Sequence, residues 1–170
     1  MFFVLLEDKT VVVYGASAAH SAALVRAFAG QRSMIFFADS SRDAAEAAAR
    51  RVIAAGAVAE AAEVDLFDRR QIAEYTAELV EWTGGIDVAV VAIRGEDGDA
   101  AQLTAVRTVA ERMSAQGSGI IVIMSITDHE RDYRELIEQA ADHGVAVLPL
   151  FCAPARGERH SISLDRPAHS

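Results

Sequence analysis

The chain has 170 residues, of which 52% are hydrophobic, so it is long and apolar enough to form one domain with a full core. Its 25 acidic residues outnumber its 16 basic ones, and the net charge of −9 argues against nucleic acid and anionic lipid as partners. The single cysteine, Cys152, allows neither an internal disulfide nor a cysteine-based zinc site. The apolar N-terminal run is too short for a leader and no later stretch could cross a bilayer, so we expect a cytoplasmic protein with no metal and no membrane partner.

Short apolar runs rich in β-branched residues alternate with alanine-rich helical segments. We predict strands at residues 10–14, 33–38, 58–64, 86–93, 119–124 and 145–151. We predict helices at residues 19–29, 42–55, 68–82, 100–115 and 132–143. Four of the strands are nearly continuous apolar runs, which is typical of strands buried on both faces. The alternation therefore predicts an α/β fold, with a doubly wound parallel sheet of about six strands in a three-layer α/β/α arrangement.

The helix predicted at residues 68–82 shows its boundaries most clearly. Asp68 is a capping residue with Gln71 three positions later, and Gly84-Gly85 follows the helix. Trp82, at the end of this helix, is expected in the core.

Because the sequence shows no internal repeat and no interdomain linker, we expect one domain over residues 1–157 and a flexible tail over residues 158–170.

The first strand runs directly into the turn Gly-Ala-Ser-Ala-Ala-His-Ser at residues 15–21, which is followed by a helix. In this context the turn resembles the dinucleotide-binding turn of the short-chain dehydrogenase/reductases, which have a Rossmann-like fold. Of the usual three glycines only Gly15 is kept, although Gly15, Ser21 and Ala23 match the divergent branch that includes the enoyl-acyl-carrier-protein reductases. The resemblance implies a phosphate cradle formed by Gly15, Ser17, His20 and Ser21. A retained turn that binds nothing is the alternative, and the sequence leaves both open.

Further matches to the family follow in the same order along the chain. Asp39 ends the second strand, where the family places an acidic residue on the adenosine ribose and so favours NAD(H) over NADP(H). Asp65 and Leu66 resemble the Asp-Val pair that lies against adenine, and Ala92 falls in the segment that replaces the family's Asn-Asn-Ala-Gly. The resemblance covers about residues 7 to 157 and implies an NAD(H) cofactor. Asp39 is equally suited to cap the helix that follows, so its role stays open.

The catalytic residues of the family are not all present in this sequence. That chemistry needs a tyrosine to protonate the substrate oxygen, with a lysine four or more residues later that lowers the pKa of the tyrosine. The only lysine of the chain is Lys9, before the first strand, and Ile137 stands four residues after Tyr133. The resemblance therefore implies that ordinary ketone or alcohol oxidoreduction is absent.

The most polar string near the expected site is Asp-His-Glu-Arg-Asp-Tyr at residues 128–133. In one interpretation His129 acts as an acid or base between two carboxylates, with Ser125 and Tyr133 as further catalytic candidates. In the other interpretation the string is the solvated start of a helix, where acidic residues favour the positive end of the helix dipole.

Three functions remain open from the sequence. The first is an atypical protein of this family type that binds NAD(H) or another small molecule. The second is a pseudoenzyme subunit that forms a homodimer or a heteromer with an active relative. The third is a non-redox enzyme, such as a cyclase, isomerase or dehydratase, that uses the same cleft for proton transfer.

Overall fold

The computed structural model describes residues 8–15, 32–125 and 130–151. In chain order the elements are β1 (Thr10–Tyr14), β2 (Met34–Asp39), α1 (Arg42–Ala54), β3 (Val58–Glu63), α2 (Arg69–Thr83), β4 (Val88–Val91), α3 (Gly98–Gln116), β5 (Gly119–Ser125), α4 (Glu130–Ala141) and β6 (Val145–Phe151). The helix predicted at residues 19–29 and the tail predicted at residues 158–170 lie outside the described residues. None of the described helices is long and apolar enough to cross a membrane.

The six strands form one parallel sheet in the order β3-β2-β1-β4-β5-β6. β1 lies between β2 and β4, with Tyr14 in register with Ala38 on one side and with Val91 on the other. The prediction of a doubly wound, Rossmann-like α/β sheet of about six strands is thus confirmed. Because every strand points the same way, all of the strand carboxyl ends meet at one edge of the sheet.

Alternate side chains of the strands pack into two cores, one on each face of the sheet. The core under α2, α3 and α4 includes Tyr14, Phe36, Ile72, Val106, Ile121 and Tyr133. The core under α1 includes Val13, Ile35, Phe37, Ala48, Val90 and Met124. Helices therefore cover both faces, which explains why the central strands are apolar along their whole length.

Local patterns gave most element boundaries to within one or two residues. Asp68 caps α2 as predicted, because its carboxylate accepts the backbone N–H groups of Arg70 and Gln71. β4 is shorter than the predicted 86–93, since glutamine side chains of α3 bind the N–H groups of Ile86 and Ile93.

The prediction that Trp82 is a core residue is wrong. Trp82 is 61% exposed. Its ring meets the ring of Phe36 edge-on, with the two ring centroids 5.6 Å apart.

Candidate functional site

The strand order of the sheet reverses at β1, because β2 and β3 lie on one side and β4, β5 and β6 on the other. In open α/β sheets, ligands bind in the crevice outside such a point, at the carboxyl ends of the strands. In this chain Gly15, Asp39 and Ala92 directly follow or end the three strands β1, β2 and β4. We term the crevice that these three residues border the switch-point site.

Gly15 is fixed by its neighbours on both sides. Its backbone N–H donates to the Ala38 carbonyl at 2.9 Å, and its φ of +96° lies in the region that favours glycine. A methyl group at this position would overlap the carbonyl oxygen of Ala92 and lie 2.7 Å from its carbonyl carbon. The close approach of the β1 and β4 ends therefore requires glycine here, whether or not a ligand is bound.

Asp39 is buried at the end of β2. It lies next to Gly15, because the backbone N–H of Gly15 donates to the carbonyl of Ala38, the residue before Asp39. One oxygen of the Asp39 carboxylate accepts the backbone N–H of Ser41 at 2.8 Å. Ser41, and not Asp39, is the N-cap of α1, since its hydroxyl accepts the N–H of Ala44. Asp39 thus shapes the turn into the helix and places a carboxylate at the switch-point site.

Arg42, the first residue of α1, is the nearest cation along the chain to Asp39. Its guanidinium lies 3.4 Å from the carboxylate of Glu63 and 3.7 Å from that of Glu46. The cationic charge at this corner of the site is therefore directed toward two acidic side chains.

Asp65 and Leu66, in the turn after β3, differ in exposure and in contacts. The Asp65 carboxylate accepts the N–H of Phe67 at 2.9 Å and is exposed, while the Leu66 side chain is buried in the core. The N–H of Leu66 donates to the hydroxyl of Ser40 at 3.0 Å, which ties this turn to the end of β2. Phe67 is 53% exposed and presents an aromatic surface that follows the same strand end.

Gln102 of α3 links the ends of β4 and β5. Its side chain is 3% exposed, its carbonyl oxygen accepts the N–H of Ile93 at 2.9 Å, and its amide donates to the carbonyl of Met124 at 3.3 Å. All side-chain polar atoms buried within the described ranges have a hydrogen-bond partner. Gln102 is therefore a structural clamp at the edge of the sheet where the strand carboxyl ends meet.

Tyr133 lies beside this clamp, in the first turn of α4, with its ring in the core. Burial raises the pKa of the Tyr133 hydroxyl, and the carboxylates of Asp99 and Asp132 raise it further. A hydrogen bond with Gln102 acts in the opposite direction, but the pKa stays above its usual value. The Tyr133 hydroxyl therefore stays protonated to a higher pH than the hydroxyl of an exposed tyrosine.

Four predicted site residues, Ser17, His20, Ser21 and His129, lie outside the described residues, and of Ser125 the structure describes only the backbone as the last residue of β5. Their catalytic or cofactor-binding roles stay predictions. Among the side chains that the structure does describe, no group of three His, Cys, Asp or Glu comes together as a metal site.

No protein-family model matches the sequence, and no curated protein matches it. Solved structures do match the fold. A short-chain type dehydrogenase/reductase from Mycobacterium marinum superposes with a TM-score of 0.75 at 18% identity, over 86% of this chain and 74% of that one. An NAD+-bound xylitol dehydrogenase gives 0.71 at 18% identity, over 87% and 71% of the two chains. A metagenomic short-chain oxidoreductase in complex with NADP gives 0.70 at 21% identity, over 90% and 84%.

This chain has the fold of the short-chain dehydrogenase/reductases. The likeness establishes the fold alone. The function has to be argued from the residues of this chain's own site. The fold brings Gly15, Asp39 and Ala92 together, and it separates Tyr133 from the only lysine of the chain. Lys9 immediately precedes β1, at the amino-end edge of the sheet, whereas Tyr133 lies near the carboxyl-end edge.

Two residues at the carboxyl-end edge of the sheet were not singled out from the sequence. Gln102 lies at helical spacing from the buried residues Ala105, Val106 and Val109, and this spacing was a signal for a buried polar side chain. Phe67 gave no such signal, because a lone aromatic residue in a turn is as compatible with burial as with exposure.

Proposed function

We propose that this chain is a dinucleotide-binding protein that holds NAD(H) at the switch-point site and does not carry out ordinary carbonyl or alcohol oxidoreduction. The observation that supports the first part is the juxtaposition of Gly15, Asp39 and Ala92 at the ends of three adjacent strands. Two solved structures of the same fold are described as NAD+-bound and as a complex with NADP, which makes a nicotinamide dinucleotide the favoured ligand class.

The described residues fit the adenosine half of such a ligand. The Asp39 carboxylate supplies acceptor oxygens for ribose hydroxyl groups at the end of β2. Phe67, which is tied to the same corner through the Leu66–Ser40 hydrogen bond, offers an exposed ring against which adenine can stack. A bound nicotinamide would supply a hydride donor or acceptor, and Ala92 would border that half of the ligand.

NAD(H) is favoured over NADP(H) by the charges at this corner. The additional 2′-phosphate of NADP(H) would approach the carboxylate of Asp39, which repels it. Arg42 already contacts Glu63 and Glu46, so its charge is offset before any phosphate arrives.

The proposed lack of ordinary redox chemistry depends on Tyr133. A tyrosine that delivers a proton to a carbonyl oxygen works best when a neighbouring cation lowers its pKa. Here burial and two carboxylates raise the pKa of Tyr133, and Ile137, four residues later, packs against the core. We therefore assign Tyr133 to the structural clamp with Gln102. The single cysteine of the chain suits a reducing compartment such as the cytoplasm.

The proposal is tested by calorimetric titration of NADH and NADPH into the wild type and Asp39→Asn. Asparagine keeps the acceptor for the Ser41 N–H and removes the charge, so the preference for NADH over NADPH should fall by about tenfold, corresponding to ~1.4 kcal/mol. Glu74→Gln removes an exposed negative charge on α2 and serves as the matched control, with no change in preference expected. An unchanged preference in Asp39→Asn would remove Asp39 from the site.

A second candidate function is that of a non-catalytic subunit. It is favoured by Leu148 and Leu150 of β6, which are 47% and 45% exposed on a face of the sheet that carries no charged residue in β5 or β6. An exposed apolar surface of this kind is typical of protein–protein contact.

A further inference from the structure

A cavity lies at the amino ends of β1, β2 and β3, at the edge of the sheet opposite the switch-point site. Thr10, Met34 and Val58 begin these three strands and form one row, because each is in register with the next. Together with Trp82, in the last turn of α2, they line a cavity of about 650 Å³. We term it the amino-end cavity.

The apolar wall of the amino-end cavity is exposed. Met34 is 37%, Val58 59% and Trp82 61% exposed. Met34 and Phe36 are two residues apart in β2 and therefore point to the same face of the sheet, where the rings of Phe36 and Trp82 meet. Because Phe36 belongs to the core under α2, the exposed wall continues this core outward. An apolar patch of this kind is typical of a surface that another segment or molecule covers.

The chain enters the amino-end cavity at Asp8, the first described residue. The N–H of Asp8 donates to the carbonyl of Arg32 at 2.9 Å, and the N–H of Met34 donates to the carbonyl of Lys9 at 3.0 Å. Asp8 and Lys9 are thus held beside the start of β2, where both line the cavity. The φ of Asp8 is +60°, so the chain changes direction at this residue and does not continue the line of β1.

The residues that precede this point are strongly apolar. Residues 2–6 read Phe-Phe-Val-Leu-Leu, and only Glu7 separates them from Asp8. An extended chain covers at most about 3.6 Å per residue, so Leu6 lies within about 7 Å of Asp8 and Phe2 within about 22 Å. The whole apolar run therefore starts at the wall of the cavity and stays close to it.

Two other stretches of the chain are weaker candidates for covering the cavity. Residues 16–31 join the described part at Arg32, which also lines the cavity, but their last three residues are Ala-Gly-Gln and include no large apolar side chain. Residues 153–170 follow β6, which is separated from β2 by three strands. Residues 2–6 combine proximity with five consecutive apolar side chains, and both favour them as the occupant.

We infer that residues 2–6 pack into the amino-end cavity and cover Met34, Val58 and Trp82. The apolar run and the apolar wall would each face water if they were apart, and they bury each other when they meet. The inference concerns the edge of the sheet opposite the switch-point site and does not require that a cofactor binds.

Fluorescence quenching tests the inference, because Trp82 is the only tryptophan of the chain. In the folded wild type, acrylamide should quench Trp82 much less than in the chain unfolded by urea. A variant that combines Phe2→Ser, Phe3→Ser, Leu5→Ser and Leu6→Ser should emit at longer wavelength, and its quenching constant should rise toward that of the unfolded chain. Circular dichroism checks that this segment variant is folded.

Leu148→Ser is the matched control, because it removes an exposed apolar side chain from β6, on the other side of the sheet. The emission and quenching of Trp82 should be unchanged in it. A wild type in which Trp82 is quenched as strongly as in the unfolded chain would overturn the inference. So would a folded segment variant in which Trp82 stays shielded, because another part of the chain or a second copy would then cover the cavity.

A reciprocal variant covers the case in which the segment variant does not fold. Val58→Asp introduces a charge into the cavity from an exposed position of the edge strand β3, and it should release residues 2–6. Hydroxyl-radical footprinting by mass spectrometry should then show more oxidation of Phe2 and Phe3 than in the wild type, whereas Leu148→Asp should show no increase. Equal oxidation of the two phenylalanines in Val58→Asp and the wild type would overturn the inference.

The outcome is separable from that of the cofactor proposal, since Trp82 quenching and NADH affinity are different readouts. Thr10, Met34 and Val58 lie at the amino ends of their strands, whereas Gly15 and Asp39 lie at the carboxyl ends. The segment variant should therefore bind NADH as the wild type does, whether the wild type binds it or not.

Discussion

Gln102 and Gln116, about four turns apart on α3, each accept the backbone N–H of a residue that flanks β4. Gln102 binds Ile93 at 2.9 Å and Gln116 binds Ile86 at 3.0 Å. The helix rises by about 21 Å between the two glutamines, and the extended chain from Ile86 to Ile93 covers about 23 Å. One helix thus holds both ends of a central strand, and the Gln102 end lies at the switch-point edge.

The two glutamines should differ in their contribution to stability. Gln102→Leu removes the acceptor of the buried Ile93 N–H and a donor to the Met124 carbonyl, which should lower the free energy of unfolding by about 2–4 kcal/mol. Gln116→Leu removes the same kind of contact at an exposed position, where water can replace the amide, so a loss of about 1 kcal/mol is expected. Urea denaturation followed by circular dichroism measures both, and equal losses would contradict a buried clamp at Gln102.

The stability losses of Gly15→Ala and Gly56→Ala, when compared, distinguish the cost of steric overlap from the cost of backbone strain. The two glycines have nearly the same φ, +96° and +95°, but an added methyl at Gly56 meets nothing within 4 Å. Gly56→Ala should therefore cost only the strain of a positive φ, about 1–2 kcal/mol. Gly15→Ala should cost clearly more, because its methyl overlaps the Ala92 carbonyl. Equal losses in chemical denaturation would show that the β1 and β4 ends do not approach so closely.

All three tyrosines of the chain have raised pKa values, so stability should fall at alkaline pH. Burial is the main cause in each, and the carboxylates of Glu60 and Glu78 add to it at Tyr75. The unfolded chain loses tyrosine protons near pH 10, before the folded chain does. The stabilisation is complete below that pH and is lost as the pH rises through the folded-state pKa values. Tyrosinate absorbance that develops near pH 10 while the circular dichroism stays native would contradict this burial.

Tyr133→Phe tests whether the hydroxyl of Tyr133 is structural. The ring stays in the core and only the hydrogen bond with Gln102 is lost, so stability should fall by about 1 kcal/mol. Tyr14→Phe is the matched control, because its hydroxyl bonds to Thr76 at 2.6 Å in the same core. NADH affinity should be the same in both variants and the wild type. A carbonyl reductase activity that Tyr133→Phe alone abolishes would make Tyr133 catalytic after all.

The sequence predicted the features that depend on neighbouring residues. The six strands, the cap at Asp68 and the positions of Gly15 and Asp39 at strand ends follow from apolar runs and turn residues that lie within one segment. The sequence resemblance to the short-chain dehydrogenase/reductases implied a Rossmann-like parallel sheet, which the structure confirms and to which it adds the order of the strands.

The features that sequence reasoning did not predict depend on residues far apart in the chain. The amide of Gln102 joins Ile93 and Met124, which belong to two different strand ends. Exposure of Trp82 and Leu148 is equally non-local, because an apolar side chain is buried only where another element covers it. Apolar strands at the centre and at the edge of a sheet look alike in sequence, and only the structure shows where the cover ends.

The central claim is that the switch-point site binds a nicotinamide dinucleotide, and calorimetric titration of the wild type with NADH tests it most directly. Saturable heat with one NADH per chain and a dissociation constant below about 1 mM is the expected result. The absence of saturable heat with NADH and with NADPH, from a protein whose circular dichroism is that of a folded α/β domain, would contradict the claim.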